Sequence, residues 1–186
     1  MVQSVVRHQF HVLAYRRMRE LGIFSEDDRI ELLDGEIYRM SLLGPLHIAL
    51  VNRLTKLLIQ MVGDSAVVSV QNAIQLDDYS GSQPDIVVLR PRSDDYEYQL
   101  AQPSDVLLLI EIADSSLEYD RTQKLPRYAA AGIAEVWIID ANRQVIEQFQ
   151  QPLQDQYTQV YRCIKGQSIQ SVGLPIIQIA SDRLFR

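Results

Sequence analysis

One stretch of the chain restricts the possible folds more than any other. Residues 105–113 read DVLLLIEIA, so that five consecutive aliphatic residues, 106–110, run directly into Glu111. An aliphatic run of this length is typical of a central strand that is covered on both faces of its sheet. An ionised carboxylate in such a strand costs several kcal/mol unless it is paired, bound to a cation or placed at a wet strand end. The run therefore predicts a buried strand whose carboxylate has a partner.

Helical patterns precede this strand. Residues 7–21 predict an N-terminal helix, and residues 29–40 predict a hairpin that reverses at Asp34-Gly35, a pair suited to a tight turn. The clearest helix lies within residues 44–64, where the apolar positions recur at helical spacing. Its predicted buried face consists of His47, Val51, Leu54, Leu58 and Met61.

Strand patterns dominate the rest of the chain. Strands are predicted at residues 66–76, 84–89, 105–113, 135–140 and 144–150, and three weakly alternating tail segments predict short edge strands. A helix at residues 115–133 separates the third strand from the fourth. This order predicts an α/β or α+β fold with a mixed central β-sheet flanked by helices.

We expect one domain over residues 1–186. Residues 1–40 would supply an N-terminal helix and hairpin, residues 45–140 the core, and residues 141–186 the C-terminal edge strands. The exposed tyrosines Tyr96, Tyr98, Tyr157 and Tyr161 are compatible with a homodimer.

Composition narrows the class of protein. The chain is 47% hydrophobic and 23% charged, which is typical of globular proteins. No apolar stretch approaches the roughly 20 residues that span a bilayer, and the N-terminus lacks the apolar region of a secretory signal. Cys163 is the single cysteine, so we expect no internal disulfide and a cytoplasmic protein without a membrane partner. The net charge of −6 disfavours a broad nucleic-acid-binding surface but leaves room for a local basic groove.

A second acid stands at the start of the preceding strand. Asp85 follows Pro84 and begins the run DIVVL. If the ends of the two strands are level, Asp85 and Glu111 share one edge of the sheet, and paired carboxylates are the ligands that Mg²⁺ prefers. The simpler interpretation is that Asp85 is a turn residue and that Glu111 meets solvent or an arginine.

A lysine follows the Glu111 strand. Asp120, Lys124 and Tyr128 are four residues apart, so a continuous helix would place them on one face. Pro126 disfavours helical torsions at Leu125, which predicts that the helix proper begins near Pro126 with Lys124 just before it. In either case Lys124 can reach back over the strand end. The alternative is a surface pair between Asp120 and Lys124.

Several of these segments together resemble a known family. Pro84-Asp85, LLLIEIADSS, DRTQK and YAAAGIAEVWIID, with ELLDGEIYRM and His47 before them and LPIIQIASDRLF after them, resemble the Uma2 (DUF820) group of restriction endonucleases. That group belongs to the PD-(D/E)XK nuclease superfamily. The resemblance runs from about residue 25 to the C-terminus and is most specific over residues 105–140. It implies a restriction-endonuclease-like core.

The resemblance also implies roles for individual residues. Asp85 and Glu111 would hold Mg²⁺, or Mn²⁺ in its place, with the backbone carbonyl of Ile112 as a further ligand. The lysine of the superfamily motif is replaced by Ala113, and Lys124 matches the lysine that stands in for it.

Three further residues complete the predicted site. Glu36 and His47 resemble further positions of the family, and Gln71 is a candidate lining residue on the strand before Asp85. The alternatives are that Glu36 is an exposed hairpin residue and that His47 bonds a backbone carbonyl at the helix start.

The predicted function is Mg²⁺-dependent hydrolysis of DNA phosphodiester bonds. Two alternatives remain: an inactive nuclease fold that binds nucleic acid or protein, and an assembly protein that forms homo-oligomers. The sequence contains no CxxC, HExxH, P-loop or GxGxxG motif, and Ser115 and Ser116 have no convincingly placed histidine.

Overall fold

The computed structural model describes residues 6–25 and 27–185. The described helices are α1 (Val12–Glu20), α2 (Pro45–Val62), α3 (Leu117–Tyr119), α4 (Leu125–Ala130) and α5 (Ser181–Leu184), with a π-helical turn at Asp120–Lys124 between α3 and α4. The described strands are β1 (Ile30–Leu33), β2 (Glu36–Arg39), β3 (Val67–Val70), β4 (Ile74–Gln75), β5 (Gly81–Ser82), β6 (Ile86–Leu89), β7 (Val106–Ala113), β8 (Glu135–Asp140), β9 (Val145–Leu153), β10 (Gln156–Ile164), β11 (Ser168–Gln170) and β12 (Gln178–Ala180).

The aliphatic run forms β7 in the middle of a six-stranded sheet. The strand order is β10-β9-β8-β7-β6-β3, and β7 and β8 are parallel while the other neighbours are antiparallel. Alternate residues of β7 enter different cores: Leu108 and Ile110 pack with α2, and Leu109 packs with Tyr128 of α4. The predicted mixed sheet with helices on both faces is therefore confirmed.

The predicted hairpin is also present. β1 and β2 pair directly across Asp34 and Gly35, whose φ values of 50° and 76° are those that a two-residue reversal requires. Gly35 has a second constraint, because a Cβ there would lie 2.6 Å from the Cβ of Gln9. The hairpin belongs to a separate four-stranded sheet of order β2-β1-β5-β4.

Two predicted elements have wrong boundaries. The N-terminal helix begins at Val12 rather than at residue 7, and the side chain of His11 caps it by accepting from the Leu13 N–H. Residues 66–76 do not form one strand, because Gln71 adopts a left-handed conformation (φ 53°) that turns the chain after β3. β3 then joins the six-stranded sheet and β4 joins the four-stranded sheet. This break brings the two sheets together beside Asp85, whose carbonyl accepts the Gln71 N–H.

The C-terminal strands do not all lie at the edge of a sheet. β9 lies inside the six-stranded sheet, β10 forms one of its two edges, and β11 and β12 make a separate two-stranded sheet. Residues from β11, β12 and α5 close the core over α2. Within the described ranges, no helix combines the length and the apolarity needed to cross a membrane.

Two of the four tyrosines that were expected to be exposed are half-buried. The hydroxyl of Tyr157 donates to the Ile133 carbonyl at 2.7 Å, and that of Tyr96 donates to the Arg90 carbonyl. Tyr98 and Tyr161 are exposed.

Candidate active site

The register of the sheet places the two predicted acids opposite each other. β6 and β7 are antiparallel and their ladder ends at the pair Ile86–Ile110. One residue further along each strand lie Asp85 and Glu111, and directly opposed side chains in such a pair have Cβ atoms about 5 Å apart. Asp85 is 7% exposed and Glu111 is 3% exposed, and both line one cleft.

Asp85 contacts α2 and the backbone of β7. Its Oδ2 accepts the Ile112 N–H at 2.8 Å, and its Oδ1 lies 3.0 Å from Nε2 of His47. Burial acts to raise the pKa of Asp85, but His47 and the Ile112 N–H outweigh it and hold that pKa below its usual value. Burial acts to lower the pKa of His47, yet the Asp85 carboxylate raises it overall. Asp85 is therefore an ionised carboxylate at the wall of the cleft.

His47 lies at the N-terminal end of α2 and is buried. Its Nε2 has no partner with hydrogen-bond geometry, although Oδ1 of Asp85 is at contact distance. The predicted orientation towards the sheet is therefore present: His47 lies beside the Asp85 carboxylate and also beside the Ile112 backbone, which, like Asp85, raises its pKa.

Glu111 carries two donors on one oxygen. Its Oε1 lies 2.6 Å from Nζ of Lys124 and accepts the Tyr128 hydroxyl at 2.5 Å. Burial raises the pKa of Glu111 to about 8, although the Lys124 ammonium acts in the opposite direction. Burial acts to lower the pKa of Lys124, but Glu111 raises it well above its usual value. The 2.6 Å contact with the ammonium favours the ionised form of Glu111. Burial and the carboxylates of Asp120 and Asp85 favour its protonated form.

A π-helical turn positions Lys124. The prediction that Leu125 leaves helical torsions is wrong, because its φ of −55° and ψ of −44° are helical. Its N–H bonds the carbonyl of Asp120, five residues earlier, and this wider turn accommodates Pro126, which has no N–H for a normal helical bond. Residues 117–130 are therefore helical throughout, and Lys124 and Tyr128 both face Glu111. Asp120 is buried and accepts from Ser116 at 2.6 Å, so the surface pair is not formed.

The cleft has an acidic floor and a basic rim. It encloses about 280 Å³, and the segment between β2 and α2 forms one wall. Arg29 and Arg39 line the cleft beside that wall: Arg29 donates to the Ser41 carbonyl at 2.6 Å, and Arg39 is exposed and pairs with Asp28 at 3.1 Å. Polar side chains surround Asp85, Glu111, His47 and Lys124 in the lining, and they are Tyr38, Gln83, Asp114, Ser115, Ser116, Tyr119 and Asp120. A cleft of this kind suits an anionic group that passes the basic rim to reach the floor.

Comparison with known proteins identifies the family. The sequence model of the family Uma2, described as "Putative restriction endonuclease", matches residues 12–180. The chain belongs to the Uma2 family. The crystal structure of a DUF820 protein from Anabaena variabilis ATCC 29413, described as a "putative nuclease", is similar with a TM-score of 0.69 and 16% identity. The similarity covers 89% of this chain and 94% of that chain, and at this identity it supports a shared fold. No curated protein matches the sequence.

Two residues of the predicted site, Glu36 and Gln71, lie outside the cleft lining. Glu36 forms an ion pair with Arg7 and accepts from Tyr38, as the exposed hairpin alternative requires. Gln71 occupies the left-handed turn after β3, where its backbone contacts Asp85 and Gln83. Of the predicted set, the structure therefore brings together Asp85, Glu111, His47 and Lys124, with the backbone of Ile112.

Sequence patterns missed a buried carboxylate that lies behind the lining of the Uma2 cleft, beside Lys124. Glu31 on β1 is 1% exposed and lies 3.8 Å from Nζ of Lys124. It belongs to the other sheet and stands 80 positions from Glu111, so no local spacing connects the two. The available signal was an acid inside the otherwise apolar strand IELL, which is the same kind of signal that identified Glu111.

Proposed function

We propose that the protein is a divalent-metal-dependent endonuclease that hydrolyses phosphodiester bonds in DNA. The observation that carries this proposal is a buried excess of negative charge at the floor of an open cleft. The family membership agrees with a nuclease fold, and the chemistry of the cleft supports the proposed metal and substrate.

The charge excess is large for buried groups. Glu31, Asp85, Glu111 and Asp120 are each at most 7% exposed, and the buried basic groups beside them in the described cleft are Lys124 and His47. With all four acids ionised, two negative charges would remain even with His47 protonated, and burial accordingly raises the pKa of Glu111 to about 8 and raises that of Asp120. Uncompensated buried charge is costly, so a divalent cation is the natural counter-charge.

The residues beside Asp85 fit a small cation. Two neighbouring ligands of an octahedral ion with bonds of about 2.1 Å are about 3.0 Å apart. Once deprotonated, His47 would present Nε2 at that spacing, 3.0 Å from Oδ1 of Asp85. Across the described residues no three His, Cys, Asp or Glu side chains form a ready-made metal cage. An incomplete set suits Mg²⁺ or Mn²⁺, which commonly bind through one or two carboxylates and keep several waters.

Each residue of the cleft then has a defined task. Asp85, Glu111 and the Ile112 carbonyl would hold the ion, with His47 at its side. A bound divalent ion lowers the pKa of an attacking water and neutralises charge that develops on the phosphate. Lys124 orients the attacking water or shares the charge on the phosphate oxygens. Arg29 and Arg39 at the rim attract the DNA backbone.

Cleavage of supercoiled and linear DNA with Mg²⁺, Mn²⁺ or EDTA tests the proposal. We expect cleavage with either ion, none in EDTA and none by Asp85→Asn. The matched control is Asp114→Asn, which changes a cleft-lining acid that makes no contact with His47 or Lys124. Equal cleavage by Asp85→Asn and the unmodified protein would reject this metal site.

A competing proposal is a Uma2 fold that binds nucleic acid or protein without cutting. Two observations support it: Tyr128 and Lys124 already occupy Oε1 of Glu111, and Ala113 stands at the usual lysine position. Calorimetry with Mn²⁺ separates the two: saturable binding that disappears in Asp85→Asn supports the nuclease, and no binding supports the competitor.

We also propose a homodimer, which would suit cleavage of both DNA strands. β10 is an edge strand with Val160, Tyr161 and Ile164 exposed, and an unpaired edge is a template for a second copy. Light scattering on the purified protein tests this, and a concentration-independent monomer mass would reject it.

A further inference from the structure

Glu31 is a buried acid to which the proposed reaction assigns no task beyond its charge. Its neighbours Ile30 and Leu32 pack into an N-terminal core with Val12 and Tyr15. Because side chains alternate along a strand, Glu31 lies on the opposite face of β1, against the helical segment 117–130. A carboxylate from the four-stranded sheet thus enters the cluster that the six-stranded sheet builds.

Neutral donors fix the position of Glu31. Its Oε1 accepts the Tyr119 hydroxyl at 3.0 Å, and its Oε2 accepts the Ser82 hydroxyl and the Gln83 N–H, each at 3.2 Å. Donors on both oxygens leave the carboxylate little freedom to rotate. Glu31 is therefore an immobile negative charge.

Glu31 and Glu111 hold Lys124 between them. Nζ of Lys124 lies 2.6 Å from Glu111 and 3.8 Å from Glu31. Two hydroxyls lie beside the lysine: Tyr128 donates to Glu111, and the single proton of Ser82 is shared between Glu31 at 3.2 Å and the Tyr128 oxygen at 2.8 Å. The nearer carboxylate is also the one that the proposed reaction assigns to the cation.

A divalent cation at Glu111 changes the balance of charge around Lys124. Glu111 would share its oxygens between Lys124 and a bound cation, and the 2.6 Å contact with the ammonium would weaken because the two positive charges repel. Glu31 contributes no oxygen to the proposed metal site and keeps its charge. Glu31 would then remain as a fixed anion 3.8 Å from the ammonium, with Asp120 further away.

We propose that Glu31 is a positioning residue that acts through Lys124, holding the ammonium over the reacting phosphate when the cation occupies Glu111. This inference rests on the proposed nuclease function. It predicts that the charge of Glu31 matters most when metal is bound and matters little when Lys124 is absent.

A double-mutant cycle on cleavage tests the dependence on Lys124. We expect Glu31→Gln to lower kcat by about 10- to 100-fold while KM for DNA stays unchanged. In a Lys124→Met background the same change should lower kcat by less than about twofold. Equal losses in both backgrounds would show that Glu31 acts independently of Lys124 and would overturn the proposal, as would full activity of Glu31→Gln.

Two controls separate positioning from packing. Glu135→Gln also changes a buried acid, 2% exposed, that lies outside the cleft, and it should leave kcat unchanged. If Glu31→Gln does not fold, Tyr119→Phe replaces it, because it frees Glu31 to rotate and keeps its charge. We expect Tyr119→Phe to lower kcat severalfold in the native background and not in Lys124→Met, and additive losses would again overturn the proposal.

Amine labelling supplies a readout that does not depend on cleavage. The chain has three lysines, and Lys56 and Lys165 are exposed while Lys124 is buried. With N-hydroxysuccinimidyl acetate and mass spectrometry, we expect Lys124 to react at least about tenfold faster in Glu31→Gln with Mn²⁺ than in the native protein with Mn²⁺, and Lys56 and Lys165 to serve as unchanged references. Equal protection of Lys124, or the same increase without Mn²⁺, would overturn the positioning role. A native protein that binds Mn²⁺ but never cleaves DNA would instead reject the proposed function.

Discussion

Two buried glutamates on neighbouring strands show how the surroundings of a fully satisfied acid differ from those of an acid proposed to be reactive. Glu135 at the start of β8 and Glu111 near the end of β7 are 2% and 3% exposed. Glu135 accepts five hydrogen bonds, all from neutral donors: Trp137, Gln148, Ser171 and the N–H groups of Val172 and Gly173. Glu111 instead contacts Lys124 and Tyr128, faces Asp85 and opens on a cleft.

The contrast teaches that burial of an acid does not by itself indicate function. The donors around Glu135 satisfy its charge and join the segment 171–173 to the sheet, so nothing further is needed there. Around Glu111 the acids outnumber the bases, and space remains for another group. Incomplete compensation beside an open cleft is the feature that indicates chemistry.

The largest expected effect comes from neutralising the incompletely compensated acid. Glu111→Gln should lower metal-dependent DNA cleavage by at least about 10³-fold, because the charge that would hold the ion is lost. Its thermal unfolding midpoint should fall less than that of Glu135→Gln. Cleavage rates and calorimetric melting of the two variants provide the comparison, and comparable cleavage by both would remove the distinction between the two glutamates.

The next largest effect is on the free energy of unfolding, and it comes from Glu135. Glu135→Ala should lower the free energy of unfolding by about 3 kcal/mol, because buried donors lose their acceptor. The kcat of the folded fraction should stay unchanged, since Glu135 lies outside the cleft. Denaturant titration measures the first quantity and a cleavage assay below the transition measures the second. A loss of kcat with unchanged stability would contradict a purely structural role for Glu135.

A smaller effect on stability distinguishes two glycines: Gly173 donates to Glu135, and Gly44 lines the same cleft as Glu111. A Cβ at Gly173 would lie 3.0 Å from the Leu107 carbonyl oxygen, whereas a Cβ at Gly44 would lie 2.9 Å from Oδ2 of Asp114, a side-chain atom. Gly173→Ala should therefore cost about 1–2 kcal/mol, because backbone must shift. Gly44→Ala should cost less, because Asp114 can rotate. Paired denaturation curves check the order, and a larger loss for Gly44→Ala would contradict it.

The smallest expected effect concerns an acid that the family resemblance suggested. Glu36 is partly exposed, and its ion pair with the exposed Arg7 lies in solvent. We expect Glu36→Gln to leave both DNA cleavage and the melting temperature unchanged. A clear loss of cleavage in the same assay would show that Glu36 reaches the substrate and that the cleft extends further than its present lining.

Much of the architecture was predictable because it depends on local patterns. The run before Glu111 predicted a strand covered on both faces, and Asp34-Gly35 predicted the hairpin from the torsions that the turn requires. The break at Gln71 was not predictable, because alternation continues across it and a glutamine seldom adopts a positive φ. The π-helical turn was not predictable either, because Pro126 normally indicates the start of a helix. The wider turn that accommodates it has no characteristic residue spacing.

The sequence by itself determined that two acids at strand ends and a following lysine are candidates for one site. Alternation and strand length decide which side chains are buried, and both are local properties of the chain. Only the tertiary structure decided that β6 and β7 are antiparallel with Asp85 opposite Glu111, that His47 contacts Asp85, and that Glu31 reaches Lys124 from another sheet. Those contacts depend on how distant segments pair and pack, and the charge excess they create exists only once the chain has folded.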